Sequence, residues 1–228
     1  MNTDMDLRVV MDTRELPWME SPEPGVKRRM LDRVGNEVAR ATSVVCYEQG
    51  AQFPQHRHPG GEEILVLEGT FSDETGDYGP GYYLRNPPDS VHTPTSTTGC
   101  LLFVKLWQFS SQDRETIRIQ TRTAQWYQGL VPGLSVLPLH EHGGVSTALV
   151  RWAPHTQFHP HVHPGGEEIL VLEGVFHDEW GSYPQGTWIR SPSYSRHQPH
   201  TESEGALIYV KTGHMGADMV PYVSMTLP

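Results

Sequence analysis

Two stretches of this 228-residue chain carry almost the same text: HRHPGGEEILVLEGTF from His56 and HVHPGGEEILVLEGVF from His161. The offset of 105 also carries Phe53 to Phe158, Gly81 to Gly186, Arg85 to Arg190, Pro87 to Pro192 and His92 to His197. One inserted residue later, Leu101-Leu102-Phe103-Val104-Lys105 answers to Leu207-Ile208-Tyr209-Val210-Lys211. Upstream, Trp18 with Pro24-Gly25 matches Trp126 with Pro132-Gly133. A sequence that repeats in this way folds as copies of one unit. The expected units are 12–115 and 118–215, with the polar run SSQDRETIRIQTR at their junction. Each has enough residues to bury a core without disulfide or metal staples.

Each unit reads as all-β. Short apolar runs such as SVVCY, ILVLEG, LLFVKLW and LIYVK are bounded by Gly, Pro, Asn and Asp, which favour turns. With 22 glycines, 19 prolines and no long stretch of helical period, a sandwich or closed barrel is expected.

Histidine is the unusual residue. Of 13, ten lie beyond residue 130. His56 and His58 are two apart, so on a strand both imidazoles point to one face. Pro59-Gly60-Gly61 is a turn that can bring Glu62 back toward the same point. His92 follows Pro87 and a further turn, and His161, His163, Glu167 and His197 repeat the set. Imidazole nitrogens with a carboxylate oxygen suit Zn, Fe, Mn, Ni or Cu. An isolated HxH is commonly an accident of surface or core. A repeated structural turn would explain Pro-Gly-Gly, but not three histidines at fixed spacing in two copies.

Those residues carry a resemblance. Gly50-x5-His56-x-His58-x3-Glu62-x6-Gly69 and Gly81-x5-Pro87-x-Asp89-x2-His92 resemble the two cupin motifs, with Asp89 where glycine is usual. In the second copy His155 and Tyr194 stand in glycine places. The HPGGEE…LEG text is most similar to the cupin domain of the ChrR anti-sigma factors, and also to acetylacetone dioxygenase-type cupins. The resemblance implies two tandem cupin barrels (double-stranded β-helix, jelly-roll-like). It also implies one divalent transition metal per domain, zinc first, with iron, nickel or manganese as alternatives. The function it implies is a sensor, regulatory or small-molecule-binding module. The alternative is a metal-dependent dioxygenase acting on a small diketone or hydroxy-ketone, so enzymatic activity stays open. Residues 1 to 40 hold no histidine or cysteine and no CxxC occurs anywhere. The zinc-binding helical domain through which ChrR proteins act as anti-sigma factors is therefore not expected, and direct sigma-factor binding is not either.

Further residues recur. Lys105 and Lys211 interrupt apolar strands, and Arg85 and Arg190 precede the second motif. Each could contact an anion in the pocket or pair structurally. Phe53/Phe158, Phe71/Phe176 and Tyr83/Trp188 are aromatic in both copies, as core or pocket wall. His155, His159 and His200 lack first-copy counterparts and read as surface groups or as outer partners of the second site.

The net charge of −10 and the absence of a basic patch argue against nucleic-acid partners. No apolar run nears the roughly 18 residues of a membrane helix, and the opening MNTDMDLRVV lacks a secretory pattern. Two cysteines make no disulfide framework, so a cytoplasmic setting is expected. A monomer and a homodimer are equally compatible with two barrels in one chain.

Overall fold

The computed structural model describes residues 1–36 and 38–215. Those residues form strands and turns throughout, and no helix among them is long and apolar enough to cross a membrane. They divide into two compact units. Among the described residues, the first holds Met1–Thr3 and Leu16–Thr123, the second Asp4–Glu15 and residues 124–215.

The first unit is built on a seven-stranded antiparallel sheet. Its order is Ile117–Gln120, Tyr82–Asn86, Glu62–Gly69, Cys100–Leu106, Ala39–Tyr47, Val26–Gly35 and Met19–Glu20. Smaller sheets complete it, among them the pair His56–His58 with Ser90–His92. The second unit repeats the plan with Thr187–Ser191, Glu167–Asp178, Ala206–Thr212, Val145–Trp152, Leu134–His142 and Tyr127–Gln128.

The edge strands come from unexpected places. The polar junction is not a plain linker, because Ile117–Gln120 pairs antiparallel with Tyr82–Arg85 and extends the first sheet. The matching edge of the second unit is taken by Val9–Asp12, paired with Thr187–Arg190. The strand that opens each repeat is thus spent on the other repeat's sheet, which shields an otherwise unpaired edge.

Alternation along Glu62–Gly69 sorts the side chains. Ile64 and Val66 pack with Leu84, Leu102 and Val104 in the first unit's core. Ile169, Val171, Ile189 and Ile208 do the same in the second. The neighbouring positions face the other way and carry a buried polar row. Arg85, Glu63, Lys105 and Thr42 stand directly opposite one another across four strands. Directly opposite residues project from the same sheet face. Arg190, Glu168, Lys211 and Thr147 form the same row in the second unit.

Candidate metal centres

Each centre is assembled by strand register. In the first unit His56 lies directly opposite His92. The next turn is tight: Gly61 adopts φ 75° and its N–H donates to the His58 carbonyl at 3.1 Å. Glu62 therefore starts the following strand beside the histidines. His58 Nε2 and His92 Nε2 are 2.9 Å apart, and Glu62 Oε2 is 3.5 and 3.4 Å from them. In the second unit His197 Nε2 is 3.1 Å from the Nε2 of both His163 and His161. Glu167 lies 3.4 Å from His163 and 3.5 Å from His197.

Outer partners set the tautomers. His56 Nδ1 lies 2.8 Å from the Pro54 carbonyl and His161 Nδ1 2.9 Å from the His159 carbonyl. A carbonyl can only accept, so the hydrogen is on Nδ1 and the Nε2 lone pair points inward. His92 Nδ1 faces Asp73 at 3.7 Å, and His197 Nδ1 faces Asp178 at 3.9 Å. A carboxylate behind an imidazole is a common support for a metal-binding ring.

The donor set fits a cation. Inward-pointing lone pairs about 3 Å apart repel unless an ion or proton lies between them. Burial keeps the His58, His161 and His163 imidazoles ready to accept one, whereas neighbouring carboxylates outweigh it and raise His92 and His197. Burial holds His58 below its ordinary value, and with the neighbours His197 and His161 it pushes His163 down to about 3. The two glutamates differ. Burial opposes the charge on Glu62, but His58, His92 and the Asn86 amide, which donates at 3.0 Å, outweigh it and hold the carboxyl below its ordinary value. Glu167 faces Ser191 at the same register position, and burial pushes it up to about 7.

Asp73 links the first centre to acid stability. Burial raises its pKa, but the His92 ring beside it, bonds from the Thr75 hydroxyl and N–H, and the charge of Arg118 bring it down to about 2. A depressed carboxyl stabilises the fold above its unfolded value and loses that contribution as pH falls through its folded one. Wild-type stability should therefore fall between pH 3.8 and about 2. In urea titrations across that window, Asp73→Asn should flatten the decline. An unchanged slope would remove Asp73 from the account.

A cavity of about 840 Å³ adjoins the first centre, lined by His56, His58, Glu62 and His92 with Phe53, Phe71 and Trp107. Trp107 holds φ 59°, a left-handed conformation that costs a bulky side chain about 1–3 kcal/mol. The second repeat has Gly213 there, at φ 81°. The Trp107 ring lies against Gly60, where an added Cβ would come within 2.4 Å of it. Phe109 covers Gly61 in the same way, and Arg85 lies 3.9 Å over the Phe109 ring. Both aromatics therefore seal the turn that carries Glu62.

The other residues singled out from sequence divide by face. Phe53 lines the cavity, and Phe158 packs edge-on against His161 with ring centroids 5.0 Å apart. Arg85, Lys105 and Tyr83 are not brought to the cavity. Arg85 binds Glu63 at 3.1 Å and also Asp113, while Lys105 binds Thr42 at 2.9 Å. In the second unit Arg190 donates to the Asp4 carbonyl at 2.6 Å, and Trp188 donates to Glu168 at 2.9 Å. Lys211 is fully buried in that row. Asp89 and Tyr194 keep φ 73° and 62°, and Gly50 and His155 keep 78° and 57°. The left-handed turn survives where glycine does not. Sequence reasoning missed Asn86, Asp73 and Trp107. Only Asp73 had a visible signal, its repeat partner Asp178.

Comparison with known proteins places the chain. The family described as ChrR Cupin-like domain matches twice, at residues 6–110 and 114–216. The chain belongs to this family. It is 35% identical over 75 residues to the anti-sigma-E factor ChrR of Cereibacter sphaeroides, a match covering 33% of this chain and 34% of that protein. The ChrR-like chain thus spans about a third of this curated relative. Its fold is that of tandem cupins. A proposed dioxygenase from Nostoc punctiforme has a TM-score of 0.75 at 14% identity, covering 98% of this chain and 88% of its own. A nickel(II) complex of a bacterial pirin from Escherichia coli has a TM-score of 0.64 at 13% identity, covering 90% and 99%.

Proposed function

We propose that each unit binds one divalent transition-metal ion through His56, His58, Glu62 and His92, or through His161, His163, Glu167 and His197. The first unit presents its ion to a small molecule held in the adjoining cavity. The observation that carries this reading is the 2.9–3.1 Å spacing of the Nε2 atoms. With metal–nitrogen bonds of about 2.1 Å, donors at right angles lie ~3.0 Å apart and tetrahedral donors ~3.4 Å apart. The Glu–His distances of 3.4–3.5 Å match the tetrahedral value, so the set accommodates both geometries; on a six-coordinate ion its four donors leave two positions for a ligand. Zinc, iron, nickel and manganese all suit these donors.

When bound, such an ion supplies a Lewis acid or, if redox-active, an electron-transfer centre. The chain's own residues hold and shield. The Pro54 and His159 carbonyls fix the ring orientations. Phe53, Phe71 and Trp107 keep the cavity wall apolar beside the donors. A metal-linked sensor or ligand-binding module suits the family and the partial ChrR match. A dioxygenase is the second reading, favoured by the proposed activity of the Nostoc punctiforme neighbour and served by the two positions that a six-coordinate ion would leave open.

The test is anaerobic loading with Fe(II), followed by titration with acetylacetone and then admission of oxygen. Saturable binding of the diketone to the loaded protein, absent from metal-free protein, is expected. Oxygen uptake would select the dioxygenase, and binding without uptake the sensor. Failure of this and other bidentate oxygen ligands to bind loaded protein would contradict an open first centre.

A further inference from the structure

A third group of donors lies outside both centres, on the second unit. The ligating atoms of His177, His200 and Glu202 are all within 4.8 Å of one another. Register brings the histidines together. His200 stands directly opposite both Gln157 and His177, and His177 directly opposite Ser182. The row Gln157–His200–His177–Ser182 therefore projects from one face of the strands. His177 and His200 exchange both backbone hydrogen bonds, at 3.0 and 2.9 Å. Their rings stack with centroids 5.2 Å apart and planes 24° from parallel.

The first unit supplies an internal control. Its corresponding row is Gln52–Thr95–Ser72–Asp77, on the same antiparallel pairing. The backbone arrangement needs no histidine there, and only the second unit carries two, with Glu202 added beside them. The neighbouring residues Phe176 and Asp178 turn toward His197, so His177 points away from the second centre. Its Nδ1 lies 2.9 Å from the Ser182 hydroxyl, which leaves Nε2 as its ligating atom.

The geometry points to a third, solvent-facing site for a late divalent transition ion such as Ni²⁺, Zn²⁺ or Cu²⁺, held by His177, His200 and Glu202. Two nitrogens on one ion can stand at most ~4.2 Å apart for bonds of about 2.1 Å. Small side-chain rotations close the present spacing. His200 is half-buried and Glu202 exposed, so water completes the coordination sphere. Imidazole donors with one carboxylate select these ions over Mg²⁺ or Ca²⁺.

The site stands independently of the two centres proposed above, and its test uses variants that leave their ligands intact. Full-length protein is equilibrated with Ni²⁺, and bound metal is counted by equilibrium dialysis. The wild type should bind one equivalent more than the double variant His177→Ser/His200→Thr, which carries the first unit's own residues. Glu202→Thr changes an exposed side chain and should weaken that equivalent at least about tenfold, the scale on which even indirect partners of ligands act. Equal binding by wild type and both variants would overturn the site.

Discussion

Arg85→Leu should lower the unfolding free energy of the first unit by about 3–5 kcal/mol, the cost of removing one partner from a buried ion pair. Arg85, Glu63 and Asp113 have side chains 2%, 2% and 5% exposed, and the guanidinium joins the two carboxylates. Without it, two acids remain buried side by side. The replacement also takes away the cation stacked 3.9 Å over Phe109, whose ring seals the Gly61 turn. Urea unfolding of wild type and variant would measure the effect. A loss under about 1 kcal/mol, the level of an exposed pair, would mean that the buried row is not structural.

This row also shows where reading a sequence stops. Glu62 and Glu63 are adjacent and chemically identical in the text. Alternation says that they face opposite ways, and the repeated histidines indicate that Glu62 turns toward the centre. Lys105 and Arg85 could be read as pocket groups or as structural ones, because their surroundings depend on register across three other strands. Register likewise assembles the third donor group. His200 was visible only as a residue without a first-repeat counterpart, and nothing local linked it to His177.

The all-β class, the tandem units and their cupin fold were legible because turn residues and periodicity are local and the repeat doubles the signal. The exchanged edge strands were not. Val9–Asp12 and Ile117–Gln120 are each four residues long, and their sheet is chosen by distant partners. Trp107 was hidden for another reason: its left-handed backbone is imposed by tertiary packing against the natural preference of an aromatic residue.

His92→Ala should abolish metal binding in the first unit and leave the second intact, and His197→Ala the reverse. His92 contributes a donor 2.9 Å from His58 Nε2 and 3.4 Å from Glu62, so its loss breaks the set at the centre. What remains is a buried carboxylate beside two imidazoles, with no fourth donor to offset the desolvation of an ion. The double variant should bind no ion at either centre. Each single variant keeps the other unit's histidines and glutamate, because the two sets share no residue.

The decisive measurement is the metal-to-protein ratio by inductively coupled plasma mass spectrometry, on chains purified without chelator or affinity metal and dialysed free of weakly held ions. The wild type should hold two ions tightly, each single variant one and the double variant none. A ratio in His92→Ala or His197→Ala equal to that of the wild type would contradict these ligand assignments.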